Sequence, residues 1–472
     1  MEGLNLLELP GIKHIHFIGI GGISMSGLAE ILLNLGFKVS GSDIRESNLT
    51  QKLRQLGAAV VPHHSKENVH NADLVVYTAA VKENNPELVE ARKLNIPVID
   101  RATLLGLIMK KYPYSIAVSG THGKTTTTSM ISVILLESGL NPTIHIGGEL
   151  DSIGGTTKIG NSRYFVAEAC EYYESFLKFS PFMAIINNIE YDHADFFTGI
   201  EHVKQTFLKF ASLVPEDGYV VANIDDLNVS SVLDKIHCNK VTYGIKSSDA
   251  MWTAKDIAYD SLGCASFKLV HNDKEVTEIK LNVPGVHNVI NALAASAACY
   301  TIGCSADSIR LGLNNFYGTH RRFELKGILN NIKVIDDYAH HPSEVKATLK
   351  AARNSSHSKI WCVFQPHTYT RTKTLLAEFA KAFADADTVI VADIYAAREV
   401  DNGEIHSKVL ADRINANSPN HKAIYISGFN NIVKYLEDNV SPGDLIITMG
   451  AGDIYKVGEL YLSNRTNVMA VS

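Results

Sequence analysis

Three times in this chain a short apolar stretch runs into a polar or glycine-rich turn and then into residues of helical period. HIHFI at 14–18 leads into GIGGISMSG, SIAV at 115–118 into SGTHGKTTTTSM, and IKVI at 332–335 into DDYAHHPSEV. Behind each turn the apolar spacing changes from that of a strand to that of a helix, as in SMSGLAEILLNLGF, TTTTSMISVILLESG and PSEVKATLKAAR. Strand, turn and helix open a βαβ unit. Such units build parallel sheets buried on both faces. Further apolar runs at 74–77, 164–167, 184–186, 361–364, 389–392 and 445–448 read as strands of these sheets. The fold class is therefore α/β, with helices covering parallel sheets. Residues 255–283 differ: they alternate, and SLG at 261–263 and HNDK at 271–274 are turn signals. That pattern predicts an antiparallel meander or hairpin added to the middle of the chain.

At about 150 residues per domain, 472 residues make three domains. A polar, proline-containing stretch at 109–114 reads as the first linker. A second falls near 316–319, before HRRFE. The expected domains are 1–108, 109–319 and 320–472. The net charge of −6 gives no general affinity for nucleic acid or an anionic membrane. No apolar run is long enough to span a bilayer. The N-terminus lacks the basic start, apolar stretch and cleavage site of a secretory signal. Six cysteines lie far apart, with no Cys-x-x-Cys pair, as reduced thiols of a cytoplasmic protein do.

The first turn, with Gly19, Gly21 and Gly22, brings backbone N–H groups to the start of a helix, where a diphosphate is held. Ser42 and Asp43 end the next strand, where a carboxylate meets a ribose. Ser24 stands where a dinucleotide fingerprint has its third glycine. A ligand-free turn, a nicotinamide cofactor and another diphosphate such as a UDP-sugar all remain open from this motif alone.

The second turn is more specific. Gly120, Thr121, His122, Gly123, Lys124, Thr125 and Thr126 form a short Gly-x-x-Gly-Lys-Thr loop; the first glycine of the longer phosphate loop is replaced by Val118. Its N–H groups cradle phosphate oxygens, Lys124 supplies a cation to the terminal phosphates, and the Thr125 hydroxyl suits magnesium. No Asn-Lys-x-Asp guanine-reading motif accompanies it. Glu168 ends a neighbouring strand, where the acidic metal partner of such a loop belongs. His193, in the Asp-His pair after the strand at 184–186, reads by itself as a structural histidine. His287, Asn288 and Asn291 read by themselves as a polar helix start after Pro284-Gly285.

With GIGGISMSG, GTHGKTT, EACEYYESF, NIEYDH, PGVHNVINALAA, HRRFE, DDYAHHPSEV, FQPHTYTRT and GAGDI in this order, the chain resembles the Mur ligases along essentially its whole length. The resemblance implies a Rossmann-like UDP-binding domain, a central ATPase-type domain and a Rossmann-like C-terminal domain. It implies an ATP-dependent ligase that joins UDP-N-acetylmuramate to L-alanine through an acyl phosphate, with two magnesium ions. The first turn would then serve UDP and not a nicotinamide cofactor, with Gly19, Gly21, Gly22, Ser42, Asp43 and Thr78 in contact. Lys124 would hold the β- and γ-phosphates, and Thr125, Glu168 and His193 the metal. His287, Asn288 and Asn291 match the adenine motif. Arg322 would reach the phosphates and Asp337 the ribose. Tyr338, His340, His367 and Arg371 match the amino-acid pocket, with one of the two histidines as proton acceptor. The resemblance leaves oligomeric partners unknown.

Two positions depart from the family pattern. Thr368 stands where some members carry an arginine. Phe207 falls at or near the place of a carbamylated lysine in relatives that add later residues, with Lys204 nearby; this resembles the alanine-adding branch. The rival within the same chemistry is a ligase that attaches a tripeptide to the same nucleotide sugar. Rivals of other classes are an NAD(P)-dependent oxidoreductase and a nucleotide-binding module.

Overall fold

The computed structural model describes residues 11–78, 80–417 and 422–468. They form two compact units. One holds the chain up to 189 together with 204–243 and 294–309; the other holds 190–203, 244–293 and the chain from 310 onward.

The first unit contains a five-stranded parallel sheet of β1 (His14–Ile18), β2 (Lys38–Ser42), β3 (Ala59–Val61), β4 (Leu74–Tyr77) and β5 (Val98–Asp100), in the order β3-β2-β1-β4-β5. Seven further strands follow: β6 (Tyr114–Ser119), β7 (Thr143–Leu150), β8 (Gly155–Lys158), β9 (Tyr164–Glu168), β10 (Met183–Ile186), β11 (Tyr219–Asn223) and β12 (Asn239–Tyr243). Their order is β12-β11-β10-β6-β9-β7-β8, parallel except at the β7–β8 edge. The strands at their centre are apolar without alternation because both faces are covered: all of Ile116, Ala117 and Val118 and all of Phe165, Val166 and Ala167 are inaccessible to solvent. Within this unit the Ile23–Asn34 helix packs its Gly27 beside His145 and Thr157, and the Arg101–Met109 helix packs its Gly106 against the Tyr172–Lys178 segment.

The second unit contains the meander: β13 (Trp252–Tyr259), β14 (Cys264–His271) and β15 (Lys274–Pro284), antiparallel and joined at the two turns expected from sequence. It also contains β16 (Glu324–Leu329), β17 (Ile332–Asp337), β18 (Ile360–Phe364), β19 (Thr388–Val391), β20 (Lys422–Tyr425) and β21 (Leu445–Met449), ordered β16-β17-β21-β18-β19-β20. Only β16 runs antiparallel in this sheet. Separate apolar clusters cover its two faces, one around Val345, Phe364 and Phe379, the other around Trp361, Ile446 and Tyr461.

In each parallel sheet a central strand has chain crossovers to either side. Ligands bind outside the carboxyl ends of strands at such switch points. The three turns singled out in the sequence follow β1, β6 and β17. The stretch at 109–114 is shorter as a linker than expected, because the Arg101–Met109 helix takes its first residue and β6 its last. Among the described residues no helix is long and apolar enough to cross a membrane. All six cysteines are free thiols.

Candidate active site

At the first turn, Gly22 caps the Ile23–Asn34 helix. Asp43 does not stand clear of the glycines: its Oδ2 accepts the Gly21 N–H at 2.9 Å and its Oδ1 the Arg45 N–H at 2.9 Å. Thr78, past β4, lies so close to Gly19 that a Cβ there would stand 3.0 Å from its Cγ2. Gly19, Gly21, Asp43 and Thr78 are thus brought to one edge. Ser42 is placed differently. It is fully buried, donates to Glu87 Oε2 at 2.6 Å and lies 2.8 Å from His64 Nδ1. It belongs to a polar network behind the edge, centred on the buried Glu87. Burial alone would raise the Glu87 pKa, but hydrogen bonds from His16, Ser42 and Asn68 hold it down at about 2.

Ser24, in the third-glycine place, accepts from Arg101 Nη1 at 3.0 Å and lies 2.8 Å from His145 Nε2. Burial, reinforced by the Arg101 charge, pushes His145 down to about 3, so its imidazole is neutral. Arg101 and His145 were missed from sequence. A basic residue opening a helix directly after β5 was the available signal for Arg101; nothing distinguished His145.

The phosphate loop leaves β6 at Ser119. Gly120 (φ +134°) and Gly123 (φ +78°) hold backbone conformations that side chains rarely adopt, and a Cβ at 120 would stand 2.9 Å from that of Asn187. The Asn187-Asn188 pair past β10 braces the loop. Asn188 O accepts the Thr121 N–H at 3.1 Å, and Asn188 Oδ1 the His122 N–H at 2.8 Å. Lys124 turns back over the loop, donating to Gly120 O (2.5 Å), Thr121 O (3.0 Å) and Glu171 Oε2 (3.2 Å). Burial would lower its pKa; Glu171, Cys170 and Glu168 raise it, and Lys124 is a cation at every physiological pH. Thr125 donates to Glu168 Oε2 at 3.1 Å, while Glu168 Oε1 accepts the Gly147 N–H at 2.6 Å. A hydroxyl and a carboxylate converging at this distance suit a hard divalent cation with oxygen ligands. Thr126 is buried in the helix that follows. Glu171 and the asparagine pair were also missed, although polar Asn-Asn directly after a buried strand marks a carboxyl edge.

The remaining expected residues belong to the second unit. His287, Asn288 and Asn291 open the Val286–Thr301 helix; Asn288 Nδ2 donates to Pro284 O at 2.7 Å and Asn291 Nδ2 to Asn288 Oδ1 at 3.1 Å. Burial pushes His287 down to about 4, with Glu344 opposing and Arg322 adding. The Arg322 guanidinium lies over the Tyr338 ring, 5.0 Å from its centre. Asp337 accepts from the Ala339 and Phe323 N–H groups at 2.7 and 2.8 Å, tying the end of β17 to the HRRFE turn. Burial raises it to about 6 against the pull of Arg322. The neighbouring Arg321 has a supporting part: it pairs with Asp336 at 3.0 Å and donates to Gly450 O at 2.6 Å.

Tyr338, His340, His367 and Arg371 form one cluster. The His340 ring centre lies 5.4 Å from Tyr338 and 5.7 Å from His367, and Tyr395 stacks on His367. Arg371 Nη1 faces His367 Nδ1 at 2.9 Å. Its other two nitrogens grip Asp192, the residue before His193. His340 Nδ1 lies 3.0 Å from Tyr338 O. Burial lowers His340 to about 3 and, together with Arg371, His367 to about 4. His193 itself is left-handed (φ +52°) and partly exposed. Glu344, missed as a site residue, closes a helix cap: its Oε2 accepts the His340 and His341 N–H groups at 3.0 and 3.2 Å. His-Pro-Ser-Glu before a helical run was the signal for it.

Three α/β sheets, each with chemistry at its carboxyl edge and one with a phosphate loop, define a nucleotide-using enzyme. The chain matches the Mur ligase family, catalytic domain, over residues 14–113, the Mur ligase middle domain over 118–299, and the Mur ligase, glutamate ligase domain over 321–452. It belongs to the Mur ligase family. The UDP-N-acetylmuramate–L-alanine ligase of Acetivibrio thermocellus is 64% identical over 472 residues, all of both chains. The crystal structure of the UDP-N-acetylmuramate–alanine ligase of Thermotoga maritima is 32% identical, with a TM-score of 0.80 over 96% of this chain and 99% of that one. A murein peptide ligase from Psychrobacter arcticus is 26% identical, with a TM-score of 0.71 over 96% and 98%.

Proposed function

We propose that this chain is the ATP-dependent ligase that joins the lactyl carboxylate of UDP-N-acetylmuramate to the amine of L-alanine, in peptidoglycan precursor synthesis. The observation that carries this reading is end-to-end identity of 64% to a ligase of that name, in a chain whose phosphate loop is intact. The work divides as 1–108 for the UDP-sugar, 109–319 for ATP and 320–472 for the amino acid. The location is the cytoplasm, where all three substrates are available to a chain of this kind.

The obstacle is bringing a carboxylate to a triphosphate, because the two repel. Lys124 places a fixed cation on the β- and γ-phosphates, and Arg322 adds a second. Thr125, Glu168 and His193 are the proposed magnesium ligands; the metal, when bound, supplies charge neutralisation to the transferring phosphoryl group. The sugar carboxylate attacks the γ-phosphorus, ADP leaves, and an acyl phosphate forms. Gly19, Gly21, Gly22, Asp43 and Thr78 hold the UDP end, and His287, Asn288, Asn291 and Asp337 the adenosine. Ser42 supports this first site from behind through Glu87.

Alanine enters as a zwitterion. Arg371 takes its carboxylate, as a guanidinium fork does. The ammonium must lose a proton before the nitrogen can attack. His367 Nδ1 faces an arginine donor, so its lone pair is already in use. His340 Nδ1 faces a carbonyl and therefore carries the proton, which leaves Nε2 as an open acceptor. Of the two histidines, His340 is the one with a nitrogen open to the amine proton, and because burial holds its pKa at about 3 it acts as a base only when substrate charge in the site raises that value. The amine then attacks the acyl carbon, phosphate leaves, and the amide remains.

The test is phosphate release from purified protein with ATP, magnesium, UDP-N-acetylmuramate and L-alanine, omitting each in turn. Turnover needs all four. Release that ignores the sugar nucleotide or alanine defeats the proposal. Preference for a tripeptide over alanine in direct competition makes the recycling ligase the better reading.

A further inference from the structure

The Asp-His pair after β10 was singled out for its histidine. Its aspartate has the more telling surroundings. Asp192 Oδ1 accepts from Arg371 Nε at 2.9 Å and Oδ2 from Nη2 at 3.1 Å, a two-pronged ion pair with both side chains about nine-tenths buried. The same Oδ1 accepts the His193 N–H at 2.7 Å.

A guanidinium has five N–H groups arranged along two usable edges. Asp192 takes the Nε–Nη2 edge, and His367 Nδ1 takes one hydrogen of Nη1. One hydrogen on each of Nη1 and Nη2 remains for a ligand. One edge of Arg371 is therefore held by Asp192. Little on its own element fixes its direction. The Tyr369–Thr374 helix has six residues, and its cap, Thr368, is forced to φ +63°. Thr368 brings no second cation, and Lys373 is paired with Glu404.

We propose that Asp192 is the positioning residue that aims the Arg371 guanidinium at the carboxylate of the incoming amino acid. This rests on the reading of Arg371 as that anchor. Asp192 touches no substrate. It holds the guanidinium plane by two hydrogen bonds.

Steady-state kinetics of Asp192→Asn, Asp192→Glu, Arg371→Lys and the double variant Asp192→Asn/Arg371→Lys test it. An asparagine keeps the shape and loses the charge. The loss of charge-assisted bonds of this kind corresponds to a roughly ten- to hundredfold rise in the Michaelis constant for alanine. The constants for ATP and the UDP-sugar stay within about twofold, which a merely structural defect would not respect. The double variant is no worse than Arg371→Lys alone, because both changes act through one guanidinium. Asp192→Glu keeps the ion pair but shifts it by a methylene, so the alanine constant rises while the melting temperature holds; this variant decides the matter where asparagine unfolds the protein. An unchanged alanine constant in the aspartate variants, alongside a raised one in Arg371→Lys, overturns the inference and spares the pocket. Unchanged constants in all of them remove Arg371 as the anchor and the inference with it.

Discussion

Replacing Gly106 by alanine puts a methyl group where there is no space. Its Cβ would lie 1.9 Å from the carbonyl oxygen of Lys178 and 2.8 Å from the carbonyl carbon. Neither is the free end of a side chain; both are backbone of the Tyr172–Lys178 segment. A carbon–oxygen contact settles near about 3.3 Å, so the helix and the segment have to part by roughly 1.4 Å. Overpacking of this kind costs about 1–3 kcal/mol, and the parted surfaces also lose dispersion contact. Taking about 3 kcal/mol, a unit of this size loses roughly 5–10 °C in melting temperature. The damage also has a direction. The Arg101–Met109 helix begins with the arginine that holds Ser24 beside the glycine turn, and Asp100 before it pairs with Lys178 across the same contact. The Michaelis constant for the UDP-sugar therefore rises more than that for alanine. Thermal unfolding and kinetics on the purified variant check both parts. A melting temperature within a degree of the parent, with unchanged UDP-sugar affinity, refutes the packing argument.

Lys124→Ala leaves UDP-sugar binding, followed by calorimetry, within about twofold and lowers turnover by roughly a thousandfold or more, since a preorganised cation on the transferring group is lost. Near-normal turnover removes the loop from the mechanism. Glu87→Gln tests the buried network behind Ser42. The Glu87 pKa is depressed in the folded protein, so its contribution is present above about 4.5 and is lost as pH falls through about 2. The depression corresponds to roughly 3 kcal/mol. The variant melts well below the parent at pH 7, and the gap narrows steadily below pH 4.5. A gap that is independent of pH shows that the charge of Glu87 is not what stabilises the network.

The sheets were legible because burial on both faces writes itself into sequence as uninterrupted apolar runs, and β1, β4, β6, β9, β10, β17, β18 and β21 all lie where such runs stand. The meander was legible from its two turns. The loop residues were legible because backbone that wraps phosphate demands glycine at fixed places. What escaped is the set of contacts made by residues distant in sequence. Ser42 looked like a ligand contact from its place at the end of β2, yet Glu87, 45 residues on, draws it inward. Arg371 stood out only through the family resemblance, and its partner stands 179 residues earlier. His145 carried no local signal, since a histidine inside an apolar strand looks the same whether it meets Ser24 or only packs. The linker at 109–114 was read too long because a helix end and a strand start leave few marks in a polar, proline-containing stretch.

The charged and hydroxyl groups proposed to meet substrates are not held in readiness by themselves. Lys124 rests on two carbonyls and Glu171, Asp43 on the Gly21 N–H, Thr125 on Glu168, and Arg371 on Asp192. A buried charge with no partner costs several kcal/mol, so a fold that buries such groups must give each one a companion. Substrate binding is then an exchange, and its driving force is a difference between partners. A phosphate arriving at Lys124 competes with the Glu171 carboxylate at 3.2 Å, and Glu168 stands on the same side of the loop. Two carboxylates facing a triphosphate are repelled by it unless positive charge beyond that of one lysine is added. That requirement supports the proposal of a divalent cation at Thr125 and Glu168. It also gives the reason the Glu168 carboxylate is fixed through the Gly147 N–H instead of through an arginine, which would spend on the protein the charge meant for the nucleotide.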